Sequence, residues 1–229
     1  MKANVVIAGA GRGIGLELTQ WFLMNECNVI AISRNTSKLK PQLNLKTVKA
    51  DITGAEVINN EVNSIISSQP KTDIHIYVYN AGLLINKPFL ELSPADMLKM
   101  ISVNFLAASI TTQSLIPWLL EAKQAHVVFI GSMGGFQGSV RFKGLSVYSA
   151  AKSALASLSE SLAEEFKDTN ICFNTLALGA VDTEMLQIAF PEYKAKTSPE
   201  SIASFIGSFA LKQFIHFNGK VIPVALNNL

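Results

Sequence analysis

Short apolar segments alternate along the chain with longer amphipathic segments. Seven of the short segments have the length of a strand and are rich in valine, isoleucine and phenylalanine. They predict strands over Asn4–Ala8, Asn28–Ile32, Leu45–Ala50, Ile74–Tyr79, His126–Ile130, Ile171–Ala177 and Lys220–Val224. The longer segments predict helices near 13–25, 54–68, 94–120, 146–167 and 199–215. Three of these helices have start signals, which are Thr53, Ser93-Pro94 with Asp96, and Ser198-Pro199-Glu200.

This repeated order of strand, helix and strand predicts an α/β fold with a doubly wound parallel sheet of about seven strands and helices on both faces. The 229 residues fit one large domain, and no internal repeat or linker divides them, so we expect a single domain over 1–229. In such sheets ligands bind beyond the carboxyl ends of the strands, where the strand order reverses. Each functional motif should therefore directly follow a strand.

The composition narrows the class of protein. The net charge of +2 indicates no strong attraction to nucleic acid or anionic membrane, and no basic patch with interleaved aromatic residues is present. Cys27 and Cys172 form neither a disulfide framework nor a metal-ligand pattern, and the three histidines are scattered. No apolar run approaches the roughly 20 residues of a membrane helix. We expect a soluble, cytoplasmic protein with no metal, no nucleic-acid partner and no membrane partner.

A glycine-rich segment, 9–15, lies between the first predicted strand and the first helix. Glycines there permit a tight turn and let backbone N–H groups approach a pyrophosphate at the helix N-terminus. The G-x-G-x-x-G spacing from Gly9 fails because its last position is Ile14, whereas G-x-x-x-G-x-G holds through Gly9, Gly13 and Gly15. A purely structural turn is the alternative, but the position after the first strand favours a Rossmann-type dinucleotide site.

The charges near this segment distinguish NADP(H) from NAD(H). An NAD site usually has an acidic residue at the end of the second strand, but no acidic residue lies between Glu26 and Asp51. The second strand is followed by Ser33-Arg34, and Arg12 lies in the glycine-rich segment. Guanidinium groups bind phosphates through bidentate, charge-assisted hydrogen bonds. The sequence therefore predicts NADP(H) as the cofactor.

Candidate catalytic residues follow the fifth strand. Tyr148 and Lys152 are four residues apart at the start of a long helix, so they share one helical face. A nearby ammonium group favours the phenolate and should lower the tyrosine pKa from its usual value of about 10. Ser132 follows the strand and could hydrogen-bond a substrate carbonyl. No histidine and acid pair accompanies it, and there is no Gly-x-Ser-x-Gly turn, so a hydrolase nucleophile is disfavoured.

Taken in order, seven motifs give the chain a family resemblance. They are the glycine-rich segment, Asp51-Ile52, Asn80-Ala81-Gly82, Asn104, Ser132, Tyr148-x-x-x-Lys152 and Val181-x-Thr183. The ordered set resembles the classical short-chain dehydrogenase/reductase family, and the match runs from Val5 to Val224.

The resemblance implies roles for individual residues. Cofactor binding is implied for Gly9, Arg12, Gly13, Ile14, Gly15, Ser33, Arg34, Asp51, Ile52, Asn80, Ala81, Gly82, Tyr148, Lys152, Val181 and Thr183. Catalysis is implied for Asn104, Ser132, Tyr148 and Lys152. Ser132 would bind the carbonyl oxygen and Tyr148 would donate the proton. Lys152 would lower the tyrosine pKa and hold the nicotinamide ribose, and Asn104 would position a water beside it in a proton relay.

The chain departs from the family pattern at several positions. Ala8 precedes the first glycine where threonine or serine is usual, Tyr79 replaces an asparagine, and Leu178-Gly179 replaces Pro-Gly. Because Ala8 and Tyr79 would lie at the ends of neighbouring strands, the two changes could compensate each other. The separation of 16 residues between Ser132 and Tyr148 predicts a lengthened loop at Ser139–Lys143.

These features predict an NADPH-dependent oxidoreductase that reduces a ketone, aldehyde or 3-oxoacyl carbonyl to an alcohol, or runs the reverse reaction. An alternative is a redox sensor or regulatory protein that binds NADP(H) without turnover, which the presence of both Tyr148 and Lys152 disfavours. The resemblance also implies a short substrate lid near 184–198 and a homodimer or homotetramer. Eight residues are expected to shape the substrate pocket, namely Leu83, Leu84, Met133, Phe136, Phe142, Leu178, Met185 and Phe190.

Overall fold

The computed structural model describes residues 2–54, 58–68, 73–213 and 216–225. Within them, seven strands form one parallel sheet in the order β3-β2-β1-β4-β5-β6-β7. The strands are β1 (Asn4–Ala8), β2 (Asn28–Ser33), β3 (Leu45–Lys49), β4 (Ile76–Tyr79), β5 (Ala125–Ser132), β6 (Ile171–Leu178) and β7 (Lys220–Val224). The predicted doubly wound parallel sheet is confirmed, with strand ends that differ from the predicted ones by two residues or fewer.

Seven α-helices connect or flank the strands of the described residues. They are α1 (Gly13–Met24), α2 (Asn63–Ser67), α3 (Pro94–Ile101), α4 (Ala107–Leu120), α5 (Ser146–Glu165), α6 (Glu184–Ala189) and α7 (Pro199–Ser208). π-helical turns cover Ile58–Val62, Ser102–Leu106 and Phe209–Gln213, and 3₁₀ turns cover Phe89–Glu91 and Met133–Gly135. Residues 55–57 and 214–215 of the predicted helices lie outside the described residues.

Two of the three predicted helix starts have the expected caps. Ser93 accepts a hydrogen bond from the backbone of Asp96 in a capping box, and Ser198 accepts one from Ser201, each followed by proline. Thr53 instead lies in a turn, where its backbone N–H and hydroxyl donate to Oδ1 of Asp51 at 3.0 and 2.7 Å.

The alternation of side chains along the strands separates two hydrophobic cores. Val5 and Ile7 of β1 pack on one face of the sheet in the core that holds residues of α1 and α7. Val6 of β1 and Tyr77 of β4 pack on the other face, with residues of α4 and α5. Successive side chains of a strand point to opposite faces, so strands covered on both sides are apolar throughout. Burial of one large aliphatic side chain contributes about 1.5–3 kcal/mol.

The strand order reverses between β1 and β4. From β1 the chain proceeds outward through β2 to β3, and it then returns to β4 on the other side of β1. The loops that follow β1 and β4 therefore diverge at the carboxyl edge of the sheet and leave a crevice. Ala8 and Tyr79 are register partners at these two strand ends, and both are fully buried. Their mutual compensation remains a hypothesis.

The helical segment Pro94–Leu120 has the length and apolarity to cross a membrane, with 27 residues and a mean hydropathy of 1.2. It is the one such segment among the described residues. Ala108, Leu115 and Leu119 on this segment are fully buried in the core beneath the sheet. The segment is thus part of a helical layer of the α/β fold, and packing against the sheet accounts for its buried apolar residues.

Candidate active site

The glycine-rich segment forms a tight loop at the crevice. Gly9 has a φ of +85°, and a side chain at Gly15 would place its Cβ 2.0 Å from the carbonyl oxygen of Gly9. A Cβ at Gly11 would lie 2.2 Å from the carbonyl oxygen of Asn35. The side-chain amide of Asn80, the residue after β4, donates to the Gly9 carbonyl at 2.9 Å and so ties the loop after β1 to the end of β4. Gly15 is therefore needed for packing of the loop and not for contact with the cavity.

The residues around this loop fit a dinucleotide cofactor. Helix α1 begins at Gly13 without a side-chain cap or an acidic residue in its first turn, so its first N–H groups are available to an anion. Gly9, Gly11 and Gly13 line the crevice, and a Cβ at Gly9 or Gly11 would clash with the backbone of Ala81 or Asn35, so the wall at these positions is glycine backbone. The fit rests on this cradle of glycine backbone beside an uncapped helix N-terminus.

Cationic and polar residues surround the end of the crevice beside β2. Arg12, Ser33 and Arg34 all line it, together with Asp51 and Ile52. Hydrogen bonds from Thr53, followed by burial and the nearby Arg34, set the pKa of Asp51, and their net effect lowers it. Arg12 Nη1 donates to Oε2 of Glu184 at 2.9 Å, so one of the two arginines is engaged with a carboxylate.

Ser132, Tyr148 and Lys152 meet where β5 ends and α5 begins. Ser132 is the last residue of β5, and its hydroxyl accepts a hydrogen bond from the backbone N–H of Gly134 at 3.1 Å. Lys152 Nζ lies 6.0 Å from the centre of the Tyr148 ring and donates to the Ile130 carbonyl at 2.7 Å. All three side chains line the same cavity. The spacing of four residues thus brings tyrosine and lysine together, with the serine beside them.

Burial controls the protonation of the two ionisable residues. Burial raises the pKa of Tyr148 above its ordinary value, and a side-chain hydrogen bond with Ser132 offsets part of that rise. Burial also lowers the pKa of Lys152 to about 8. The causes of the Tyr148 shift are burial and the bond to Ser132, so the expectation that Lys152 lowers the tyrosine pKa stays a prediction. Desolvation of the phenol is the larger of these causes, and Lys152 directs an N–H group at the Ile130 carbonyl.

Asn104 lies behind the cavity wall in the π-helical turn Ser102–Leu106 and is fully buried. Its Oδ1 accepts from the Leu83 backbone N–H at 3.2 Å, and its Nδ2 donates to the carbonyls of Leu83 and Met100 at 2.7 and 2.8 Å. A Cβ at Gly82 would lie 3.3 Å from Asn104 Oδ1 and 3.7 Å from Lys152 Nζ. Asn104 therefore ties the loop after β4 to the helix and lies close to the lysine.

The crevice is a cavity of about 510 Å³ that reaches from the glycine-rich segment to the catalytic cluster. Its lining includes every residue predicted to bind the cofactor or to take part in catalysis except Gly15 and Asn104. These lining residues are Gly9, Arg12, Gly13, Ile14, Ser33, Arg34, Asp51, Ile52, Asn80, Ala81, Gly82, Ser132, Tyr148, Lys152, Val181 and Thr183. Of the eight residues expected to shape the substrate pocket, seven line the cavity and Phe136 does not.

The predicted lid region contains the short helix α6, which sequence reasoning missed. Thr183 caps it by accepting a hydrogen bond from Leu186, and Asp182 N–H donates to the Thr197 carbonyl at 2.9 Å where the segment returns. Glu184 and Tyr193 of this segment also line the cavity without having been singled out. The threonine before Glu184 is a recognisable helix-start signal that could have found α6.

Other lining residues were missed because their types carry little chemical information. Gly11 belongs to the quoted glycine-rich segment but was not assigned a role, and Val103 and Ala180 are ordinary apolar residues. Across the described residues, no group of three or more histidine, cysteine, aspartate or glutamate residues could hold a metal ion.

Comparison with known proteins agrees with this architecture. A family model described as short chain dehydrogenase matches residues 3–194. An uncharacterized oxidoreductase of Staphylococcus aureus (strain MW2) is 28% identical over 225 residues, which cover 96% of this chain and 95% of that protein.

Solved structures give the same result. The structure of ElxO with NADP bound is 25% identical, with a TM-score of 0.86 and coverage of 98% of both chains. The structure of 4-hydroxyisoleucine dehydrogenase complexed with NADH is 26% identical, with a TM-score of 0.87 and coverage of 98% of this chain and 97% of that one.

Proposed function

The chain belongs to the short chain dehydrogenase family and is an oxidoreductase, and we propose that it reduces a carbonyl compound to an alcohol with NADPH. The carbonyl would be that of a ketone, an aldehyde or a 3-oxoacyl group, and the reverse oxidation would use the same residues. The observation that carries the proposal is the meeting of Ser132, Tyr148 and Lys152 in one cavity with the glycine-rich segment. When bound, the nicotinamide supplies the hydride.

Tyr148 acts as the general acid in this proposal. Its raised pKa keeps the phenol protonated at neutral pH, which is the form that a carbonyl reduction consumes. Ser132 hydrogen-bonds the substrate oxygen and thereby orients it toward the phenol. In the reverse direction Tyr148 acts as the general base, and the same raised pKa disfavours that form at neutral pH.

Lys152 and Asn104 support the tyrosine. An ammonium group with a pKa of about 8 is mostly protonated at pH 7, so Lys152 can stabilise the phenolate as Tyr148 gives up its proton. Lys152 also offers N–H groups to the ribose hydroxyls. Asn104 positions Gly82 and Leu83 opposite the lysine, and a water held there would complete a proton relay.

The preference for NADP(H) over NAD(H) rests on charge. Arg12, Ser33 and Arg34 all line the crevice, and β2 ends without the acidic residue that would bind a ribose 2′-hydroxyl. Similar proteins have been solved both with NADP and with NADH, so relatives alone do not decide the question. The arginines support NADP(H) because their guanidinium groups would hold the 2′-phosphate.

The substrate end of the cavity favours an apolar carbonyl compound. Leu83, Leu84, Met133, Leu145 and Phe190 line it beside Tyr148. A carbonyl compound with an apolar body would bury that body against these side chains. Residues 184–198 act as the lid over this pocket.

Assembly and location remain proposals. Leu98, Ile101 and Leu106 on the long helical segment Pro94–Leu120 are exposed, at 64%, 43% and 48%. This row of large apolar side chains supports a homodimer or homotetramer formed through the helical layer. We place the protein in the cytoplasm.

The test is a fluorescence titration with NADPH and NADH. It is followed by activity assays with a panel of ketones and aldehydes, in which NADPH consumption is measured by its absorbance. We expect selective NADPH binding and consumption of at least one carbonyl compound. Tyr148→Phe should lower turnover by about 10²–10⁴-fold and leave the NADPH Kd within about threefold, because only the proton donor is removed. Selective binding without turnover of any compound would favour the redox sensor, and retained turnover in the variant would reject the role of Tyr148.

A further inference from the structure

An ion-pair cluster joins the lid to the end of the crevice beside β2. Glu184, the first residue of α6, accepts from Arg12 Nη1 at 2.9 Å and from Lys38 Nζ at 3.3 Å. These partners are 172 and 146 residues away along the chain. One carboxylate therefore engages two cations from two different loops, those that follow β1 and β2.

Lys38 is held at this place by its own loop. Leu39, the next residue, is almost fully buried in the core with α1, and its backbone N–H donates to the Thr36 carbonyl at 3.0 Å. Asn35, earlier in the loop, caps the turn by accepting from Ser37 at 2.9 Å. The loop therefore fixes the backbone from which Lys38 reaches Glu184, and Ser33 and Arg34 precede this loop at the end of β2.

Helix α6 has few other anchors. None of its six residues is buried, and beyond its cap and the ion pairs two side-chain hydrogen bonds are recorded, from Asn86 Nδ2 to the Ala189 carbonyl at 2.8 Å and from Gln187 Nε2 to Asp182 Oδ1 at 2.9 Å. Arg12, Lys38 and Glu184 are each more than half exposed in their side chains, so their ion pairs are screened and individually weak. A stronger anion could therefore replace the carboxylate at a small energetic cost.

We propose that Glu184 competes with the cofactor 2′-phosphate for Arg12 and Lys38, so that NADP(H) binding releases the beginning of the lid helix. This inference rests on the proposed preference for NADP(H). It makes Lys38 a third cation of the phosphate site, with Arg12 and Arg34. A phosphate dianion with three acceptor oxygens binds a guanidinium more strongly than a single carboxylate does. The lid and the adenosine end of the site are then coupled through shared cations.

The probes are 2′,5′-ADP, which carries the 2′-phosphate, and ADP, which lacks it, both measured by titration calorimetry. Glu184→Gln removes the competing charge and should tighten 2′,5′-ADP about threefold to tenfold while changing ADP less than about twofold. Adding Lys38→Met to this variant should then weaken 2′,5′-ADP by a similar factor. Glu192→Gln is the matched control because it removes an exposed carboxylate from the same segment that forms no ion pair among the described residues.

Hydrogen exchange of the lid gives a second measurement. In the wild-type protein, 2′,5′-ADP should increase amide exchange in residues 184–189, whereas ADP should not. In Glu184→Gln exchange should already be high and should not rise further.

Three results would overturn the inference. If Glu184→Gln weakens both nucleotides equally, the ion pairs hold the lid over any nucleotide and do not compete with phosphate. If wild type prefers 2′,5′-ADP but Glu184→Gln leaves the preference unchanged, this inference fails and the NADP(H) proposal stands. If neither protein prefers 2′,5′-ADP, both fail.

Discussion

Two buried ionisable side chains lie at opposite ends of β5, and their surroundings favour different protonation states. Near the carboxyl end, Lys152 is 4% exposed, and its Nζ donates to the Ile130 carbonyl. Near the amino end, His126 is fully buried and has hydrogen-bond partners for both ring nitrogens. Burial lowers both pKa values, that of Lys152 to about 8 and that of His126 to about 3.

The difference lies in which form each site accommodates. Asn174 Nδ2 donates to Nε2 of His126 at 3.0 Å, and Nδ1 lies 3.2 Å from the Ala210 carbonyl, so this network assigns the proton of a neutral ring to Nδ1. Lys152 stays mostly charged at pH 7 although it is desolvated, and it faces a cavity. At pH 7 the neutral, hydrogen-bonded His126 stabilises the fold, whereas the buried ammonium group of Lys152 destabilises it. That ammonium group carries the charge that the proposed chemistry needs.

The largest expected effect comes from Lys152→Met. The lysine pKa falls from 10.5 to about 8, so the buried ammonium costs at most about 3 kcal/mol of stability at pH 7. The variant also loses the hydrogen bond to the Ile130 carbonyl, which costs it about 1 kcal/mol of stability. The net result should be a gain of about 1–2 kcal/mol in its free energy of unfolding. Carbonyl reduction should fall by about 100-fold or more. Urea denaturation and steady-state kinetics measure the two effects.

Lys46→Met is the control, because Lys46 is exposed on the edge strand β3. It should change neither quantity appreciably. A Lys152→Met protein that is less stable than wild type would show that the ammonium stabilises its end of the strand, and the contrast with His126 would fail.

The opposite result is expected from His126→Gln. An amide replaces a ring that links β6 to the π-helical turn after α7, so the variant should lose about 1–3 kcal/mol at pH 7. The wild-type pKa is lower in the folded state than in the unfolded state, so the neutral ring stabilises the fold above pH 6.5. That contribution is lost as the pH falls toward 3, at about 1.4 kcal/mol per pH unit.

Unfolding of the wild type and the variant should therefore be compared from pH 6.5 to pH 5. The wild type should lose about 2 kcal/mol from this histidine over that range, and the variant should lose none of it. His216→Gln, which changes an exposed histidine, should keep the wild-type slope. Equal slopes in all three proteins would show that His126 is not the group that titrates.

Much of the fold and the cofactor site follows from local sequence. The strands are apolar runs, and Gly9 and Gly15 occupy positions in the loop after β1 where a Cβ atom would clash with neighbouring backbone. The properties that sequence reasoning missed depend on depth and distance. The pKa of Tyr148 rises because the residue is buried, which its spacing from Lys152 does not reveal. The ion pair between Glu184 and Arg12 joins residues 172 positions apart, so no local pattern predicts it.

The π-helical turn around Asn104 was also missed, and the reason differs. A turn of this kind inserts one residue into a helix whose apolar pattern otherwise continues from Pro94 to Leu120. The periodicity predicts the helix correctly but is too coarse to locate the insertion. The buried asparagine was the available signal, because such a side chain needs partners that a regular helix does not supply.

The smallest expected effect lies midway between the two ends. Thr175 of β6 is the register partner of Phe129 on β5, and its buried hydroxyl has no hydrogen-bond partner within the part of the chain that the structure describes. Thr175→Val keeps the shape and removes the unpaired hydroxyl, so it should stabilise the protein by about 0.5–1 kcal/mol. Neither turnover nor the pH dependence should change, because the site touches neither Lys152 nor His126. If thermal denaturation instead shows a loss of stability, the hydroxyl has a partner, and the middle of the strand pair belongs with the histidine end as a hydrogen-bonded part of the fold.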